Sequence, residues 1–261
     1  MPIEDDEDFA PIYQVALSGA YSALSLRAGD FVLDAGANSG VFTALAARQV
    51  GPGGLVVAVE PDPANFAKLR RMVALNELRN VRLVQAALWP TDGAIIHLEG
   101  AGTMVHVSGG SLRGHTATTV SPSGLLNSVG VTQFQKVKMD IEGSEALLFQ
   151  GAASAPLFRS EEVSVEVHGQ QAREIVTRAF VAHGFRADRV VEGSEDFIAL
   201  ARGVLTHPVL SLELELLHRF KTTARVLRSS LCRKPTDALT LATIHFRQAT
   251  FTAAEPKAAP E

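Results

Sequence analysis

A strand that breaks into a glycine turn at the start of a helix constrains this chain most. The segment Phe31–Ala35 is apolar except for one acid, Asp34. It is followed by the turn Gly36-Ala37-Asn38-Ser39-Gly40 and then by an apolar helical pattern. A second apolar strand, Leu55–Val59, ends at Glu60. A strand, a glycine turn at a helix N-terminus and an acid after the next strand form half of a nucleotide-binding crevice. This unit therefore predicts a ligand that carries a ribose.

The composition indicates a globular α/β protein. The 261 residues are enough for one large domain, and a formal net charge of -4 argues against a nucleic-acid partner. The acidic N-terminus does not resemble a signal peptide, and no apolar run approaches the roughly 20 residues that span a bilayer. Cys232 is the only cysteine, which excludes an internal disulfide and favours a reducing compartment. We therefore expect a cytoplasmic protein without stable membrane insertion.

Five strand–helix repeats followed by two further strands predict a doubly wound, mostly parallel sheet of seven strands with helices on both faces. The predicted strands cover residues 31–35, 55–59, 81–88, 136–141, 163–167, 187–191 and 197–201. Residues 89–133 interrupt this order with short alternating segments and glycine turns. Such a pattern predicts a β-insertion before strand four, and long insertions often serve as a lid or substrate loop.

Composition divides the chain into four parts. We expect an acidic segment and a helix over 1–27, the α/β domain over 28–203, a C-terminal helical extension over 204–251 and a disordered tail over 252–261. The extension carries only basic charges between residues 219 and 234. It could cap the domain or contact a membrane surface, an anionic substrate or a partner subunit, and homo-oligomerisation is left open.

The glycine spacing separates two classes of cofactor. A dinucleotide crevice needs G-x-G-x-x-G so that the pyrophosphate can approach bare backbone, and the segment from Asp34 to Gly40 does not fit this spacing. An acid at the strand end suits a cationic centre, as in the methionine part of S-adenosylmethionine. Gly36 would allow close approach of the ligand, and Glu60 could accept hydrogen bonds from both ribose hydroxyls. A nicotinamide-dependent oxidoreductase is therefore disfavoured.

Four motifs in order resemble those of the FkbM-type methyltransferases. The glycine turn is similar to their D-x-G-A-N-x-G, Glu60-Pro61-Asp62-Pro63 to E-P-x-P, Lys138–Glu145 to K-x-D-x-E-G-x-E, and Glu166-Val167-His168 to E-x-H. The resemblance covers about residues 28–201. It implies a Rossmann-like class I methyltransferase fold, S-adenosyl-L-methionine as cofactor and O-methylation of a hydroxylated small molecule such as a sugar or natural product. The T-L-D of the family is replaced by Thr119-Val120-Ser121-Pro122, where Ser121 can cap the next helix.

The candidate cofactor contacts are the residues that end the first four strands or follow them. They are Asp34, Gly36, Asn38, Gly40, Glu60, Ala86 and Asp140. Asn38 could bond the carboxylate of the ligand or only stabilise its own turn. Ala86 lies at the end of the third strand, where the adenine would lie, so its backbone is the expected contact.

The candidate catalytic residues are Lys138, Asp140, Glu142 and His168. The first three alternate along strand four and should project from one face, and an alcohol that attacks a methyl group must lose its proton to a base. Asp140, Glu142 or His168 could be that base, whereas Lys138 could simply pair with Asp140 or Glu142. Glu166 could orient His168 or pair with Lys138, and Glu145 could favour the dipole of its helix.

Two further alternatives remain beside this interpretation. A non-catalytic module that binds S-adenosylmethionine or a nucleotide would share the crevice, and a catechol-type enzyme would add a divalent metal. We predict no metal site, because His97, His106 and His115 in the insertion have no metal-binding spacing.

Overall fold

The computed structural model describes residues 21–99, 106–107, 115–192 and 241–249. The strands, in chain order, are β1 (Phe31–Ala35), β2 (Leu55–Val59), β3 (Val81–Val84), β4 (Ala87–Leu88), β5 (Ile95–Glu99), β6 (His106–Val107), β7 (His115–Val120), β8 (Lys136–Met139), β9 (Glu162–His168), β10 (Phe185–Glu192) and β11 (Leu241–Gln248). The helices are α1 (Val41–Val50), α2 (Pro63–Leu75), α3 (Pro122–Val129), α4 (Glu145–Phe149) and α5 (Gln170–Ala182), with a 3-10 helix at Ala152–Arg159.

The main sheet has seven strands in the order β3-β2-β1-β8-β9-β11-β10. Strands β3, β2, β1, β8 and β9 are parallel, and β11 is antiparallel to both β9 and β10. The strand order reverses between β1 and β8, which is the switch point where ligands bind in open α/β sheets. The predicted doubly wound, mostly parallel sheet of seven strands is confirmed.

The last strand of the sheet was predicted in the wrong place. The sequence assigned residues 204–251 to a helical extension, but Leu241–Gln248 forms β11, inserted between β9 and β10. Ala242, Ile244 and Phe246 alternate with Thr243 and His245, and all five are at most 5% exposed, so β11 is buried on both faces. The strand predicted at 197–201, the rest of the extension and residues 1–20 lie outside the described residues.

The insertion carries a small second sheet of order β4-β7-β5-β6. The third predicted strand is divided here, because β3 ends at Val84 and β4 leaves the main sheet to pair with β7. Ser121 caps α3 by accepting a hydrogen bond from the backbone N–H of Gly124, as predicted. A role of the insertion as lid or substrate loop stays a prediction.

Apolar clusters lie on both faces of the main sheet. Val32, Val56 and Ala58 face α1 and α2, whereas Leu33 and Val57 belong to the cluster on the other face. Neighbouring residues of a strand point to opposite faces, so the continuous apolar runs of β1 and β2 are buried on both sides. Among the described residues, no helix is long and apolar enough to cross a bilayer.

Candidate active site

The candidate residues converge at the carboxyl ends of the central strands. The first acid, Asp34, lies on β1, Glu60 follows β2, and Asp140 follows β8 next to the turn after β1. His168 is the last residue of β9. The predicted strand four is shorter than expected, since β8 ends at Met139. Glu142 lies beyond it with a left-handed φ of 51°, so strand alternation does not place Glu142.

The carboxylate of Asp34 contacts two side chains of the protein itself. Its carboxylate accepts a hydrogen bond of 2.5 Å from the Thr43 hydroxyl and lies 3.3 Å from the Nζ of Lys138. Asp34 is fully buried and Lys138 is 4% exposed, so the pair needs mutual charge compensation. The structure thus gives Lys138 a partner in Asp34, where the sequence suggested Asp140 or Glu142. A direct contact of Asp34 with the cofactor stays a prediction.

The two glycines of the turn are explained by packing. A Cβ on Gly36, whose φ is +74°, would lie 1.7 Å from the carbonyl oxygen of Asp140. A Cβ on Gly40 would lie 2.4 Å from the Cε of Met72 and 2.6 Å from the Cδ1 of Leu69. The absence of a side chain at Gly36 therefore allows the segment after β8 to pack against the turn. The absence of one at Gly40 allows α2 to do so. The sequence analysis instead ascribed Gly36 to close approach of a ligand, and cofactor contacts of both glycines stay predictions.

Glu60 joins the glycine turn to the helix that follows β2. Its carboxylate accepts hydrogen bonds from the backbone N–H groups of Asn38 at 2.8 Å and Asp62 at 2.9 Å. Burial raises the pKa of Glu60 to about 7, although these hydrogen bonds oppose the effect. When Glu60 is ionised, each oxygen keeps a lone pair for a further donor, and the contact with two ribose hydroxyls stays a prediction.

Asn38 and Ala86 lie beside this acid. Asn38 has a left-handed φ of 50°, and its side-chain oxygen accepts from the N–H of Ser39, which stabilises the turn as one alternative predicted. Ala86 is buried between β3 and β4, and the backbone N–H of Glu60 donates to Val84 just before it. The two residues thus follow the carboxyl ends of β1 and β3, and their contacts with the cofactor stay predictions.

His168 is held between two carboxylates. Its Nδ1 lies 3.1 Å from the Oε1 of Glu145, and its Nε2 lies 3.3 Å from the Oε2 of Glu142. Desolvation lowers the pKa of His168, but the hydrogen bond and charge of Glu145, together with the charges of Glu142 and Asp140, raise it to about 9. Burial and the charge of Asp140 raise the pKa of Glu142 to about 7. Burial and the neighbouring charges therefore shift the pKa values of both Glu142 and His168 upward.

Tyr21 completes the cluster from the segment before β1. Its hydroxyl donates to the Oε2 of Glu166 at 3.0 Å and lies 3.5 Å from the Oδ2 of Asp140. Burial, followed by the charge of Asp140, raises the pKa of Glu166 to about 8, and burial also raises the pKa of Asp140. Sequence reasoning missed Tyr21, because a lone tyrosine far from the motifs carries no signal of what it contacts.

Three residues of the cluster could also hold a metal ion. One ligand atom each of Asp140, Glu166 and His168 lies within 4.8 Å of the others. Two carboxylates and an imidazole suit divalent transition metals such as Mn²⁺ or Zn²⁺. The sequence analysis considered only the histidines of the insertion and overlooked this group, whose members come from the segment after β8 and from β9.

A mostly parallel sheet of seven strands with this strand order is the fold of the class I methyltransferases. The family model of the methyltransferase FkbM domain matches residues 34–187, and the chain belongs to this family. Its cofactor is accordingly S-adenosylmethionine. No curated protein matches the chain in sequence.

Several solved structures of methyltransferases are similar to this chain at low sequence identity. StiE O-MT, residues 942–1257, is 13% identical with a TM-score of 0.50, and the match covers 96% of this chain and 78% of that one. Fibrillarin from Aeropyrum pernix with natively bound S-adenosyl-L-methionine is 12% identical, with a TM-score of 0.45 and coverage of 89% and 74%. Precorrin-6y C5,15-methyltransferase from Geobacter metallireducens is 14% identical, with a TM-score of 0.44 and coverage of 69% and 75%.

Proposed function

We propose that this methyltransferase is an O-methyltransferase that acts on a hydroxyl group of a small molecule. The observation that carries the proposal is the position of His168, which lies beside the cofactor crevice with carboxylates at both ring nitrogens. A histidine of this kind suits removal of a proton from an alcohol, which is a poor nucleophile until it is deprotonated.

The cofactor side of the site is formed by the ends of β1, β2 and β3. Glu60 would bind the ribose, Asn38 the methionine carboxylate, and the backbone at Ala86 the adenine. Asp34 would act indirectly, because it holds Lys138, whose ammonium group donates to the carbonyl of Gly36 at 2.6 Å. Gly36 and Gly40 keep the turn compact, and Asp140 lies where the cofactor side meets the acceptor side.

The acceptor side is formed by Asp140, Glu142 and His168. The bound cofactor would supply a methyl group on a positively charged sulfur, which is a good leaving group for attack by an acceptor oxygen. His168 would take the hydroxyl proton on Nε2, and Asp140 or Glu142 would orient the acceptor. At neutral pH the raised pKa keeps His168 protonated in the free protein. A positive charge in the crevice disfavours the imidazolium, so the charged cofactor would lower this pKa towards neutrality.

Two measurements test the proposal. Calorimetric titration with S-adenosylhomocysteine, with NAD as control, measures binding, and transfer of a radioactive methyl group to a panel of sugars and phenols measures activity. We expect His168→Asn to lower turnover about 100-fold or more while cofactor affinity is unchanged. His115→Asn, on an exposed residue of β7, is the matched control. Binding without transfer to any hydroxyl would favour the non-catalytic module.

The group of Asp140, Glu166 and His168 favours a second candidate, a metal-dependent O-methyltransferase of the catechol type. In this candidate His168 would be a ligand and the metal would lower the pKa of the acceptor hydroxyl. Dialysis against EDTA followed by addition of Mg²⁺, Mn²⁺ or Zn²⁺ distinguishes the two. Full activity after chelation would exclude the second candidate, and activity restored by a metal would support it.

A further inference from the structure

The two carboxylates that contact His168 differ in how firmly they are held. Glu145 is fully buried in the first turn of α4, and its Oε1 accepts from the backbone N–H of Gly143 at 3.1 Å as well as contacting the Nδ1 of His168. Glu142 lies in the turn after β8, and its side chain is 34% exposed. The Nδ1 side of the ring is therefore fixed, whereas the Nε2 side faces the open end of the cluster.

The contact with Glu145 decides which nitrogen of neutral His168 carries the proton. An ionised carboxylate only accepts hydrogen bonds, so Nδ1 must be the donor in this contact. The ring then leaves the lone pair on Nε2, which is the nitrogen that a substrate can reach once the Glu142 side chain moves aside. The same carboxylate stabilises the imidazolium formed when Nε2 accepts a proton.

We propose that Glu145 is the positioning residue of the acceptor site, which fixes the orientation and tautomer of His168 so that Nε2 faces the acceptor hydroxyl. The catalytic role that this proposal gives to Glu145 rests on the proposed function. The carboxylate of Glu142 contacts Nε2 in the absence of an acceptor, and its side chain moves away when the acceptor binds. This explains why two acids of one signature, three residues apart, contact opposite sides of one imidazole.

The charges around His168 come from three directions. Glu145 faces it from α4, Glu142 and Asp140 from the segment after β8, and Glu166 from its own strand. Only Glu145 combines full burial with a contact to Nδ1. Removing the charge of Glu145 should therefore change the titration of His168 without removing the other three carboxylates.

Nuclear magnetic resonance of the imidazole nitrogens tests this relation in the full chain without any acceptor. The His168 signals are assigned by their absence from the spectrum of His168→Asn. In Glu145→Gln we expect the midpoint of the His168 titration to fall by about one pH unit or more. The preference of the neutral ring for the proton on Nδ1 should weaken, because a neutral amide accepts less strongly than a carboxylate and can also donate. The matched control is Glu174→Gln, on an exposed residue of α5, which should leave both unchanged.

Kinetics of the same variants test the catalytic part. Glu145→Gln should lower kcat on the order of 100-fold with unchanged affinity for S-adenosylhomocysteine, and Glu145→Asp should restore part of it. An unchanged His168 titration in folded Glu145→Gln would overturn the proposal, and so would a changed titration with full kcat. If wild-type protein methylates no hydroxyl, the proposed function fails by itself, and the resonance experiment still decides whether Glu145 orients His168.

Discussion

The ammonium group of Lys138 lies 3.3 Å from the Oδ1 of Asp34 and donates to the carbonyl oxygen of Gly36. Residues 34 and 138 are paired in the register of β1 and β8, so this contact crosses the switch point of the sheet. One buried ion pair thereby holds the glycine turn of the cofactor crevice against the strand that leads to the acceptor residues. The pair thus joins the glycine turn from Asp34 to Gly40 to the segment Lys138–Glu145.

Replacing Lys138 by Met should destabilise the protein by about 3–5 kcal/mol, because Asp34 would keep a buried charge without its cation. The free energy of unfolding from guanidinium titrations measures the loss. Arg82→Met, on an exposed residue of β3, is the matched control and should cost little. The double variant Asp34→Asn with Lys138→Met should recover part of the stability. Equal losses for Lys138→Met and Arg82→Met would contradict the role of the pair.

Replacing Gly36 by Ala should cost about 3 kcal/mol or more, because the new Cβ would meet the carbonyl of Asp140 and the backbone has a positive φ. Gly29→Ala separates these two causes. A Cβ on Gly29, whose φ is +89°, would meet no atom within 4 Å, so this variant should lose only the conformational part, about 1 kcal/mol. Thermal and denaturant unfolding measure both, and similar losses would refute the packing argument.

Replacing Glu60 by Gln should weaken the binding of S-adenosylhomocysteine by about 1–3 kcal/mol, since a buried acceptor for the ribose loses its charge. The wild-type affinity should also rise between pH 6 and pH 8, because the pKa of Glu60 is about 7 and only the ionised form accepts with both oxygens. Calorimetry at several pH values checks both expectations. A variant with the same pH dependence as wild type would exclude Glu60 as its cause.

Replacing Glu166 by Gln should flatten the dependence of stability on pH. Burial and the charge of Asp140 raise the pKa of Glu166 from 4.5 to about 8, so its contribution is complete below pH 4.5 and is lost as the pH rises through 8. Between these values the wild type should lose up to about 1.4 kcal/mol per pH unit relative to the variant. Urea titrations at pH 5, 6, 7 and 8 measure the difference, with Glu174→Gln as control. Parallel curves for wild type and Glu166→Gln would contradict the raised pKa.

Local patterns predicted most of the fold. The apolar runs of β1 and β2 indicated buried parallel strands, and Asp62 caps α2 through the N–H groups of Ala64 and Asn65, as its position before Pro63 predicted. The same holds for Ser121 before α3. These features depend on neighbours within a few residues, which the sequence displays directly.

The failures concern contacts between distant segments. The alternation of Leu241–Gln248 is visible in the sequence, but its place between β9 and β10 depends on pairing with strands at least 49 residues earlier in the chain. The partner of Lys138 is likewise on another strand, and Tyr21 reaches Glu166 across 145 residues.

The sequence by itself determined the class of sheet, the helix caps and the set of ionisable residues at the carboxyl ends of the strands. Only the tertiary structure decided which side chains form ion pairs or hydrogen bonds with one another. These pairs are Lys138 with Asp34, Tyr21 with Glu166, and His168 with Glu145. The physical reason is that periodicity specifies the face on which a side chain lies. The distance to a partner, and therefore the pKa of both groups, depends on how the strands and helices pack.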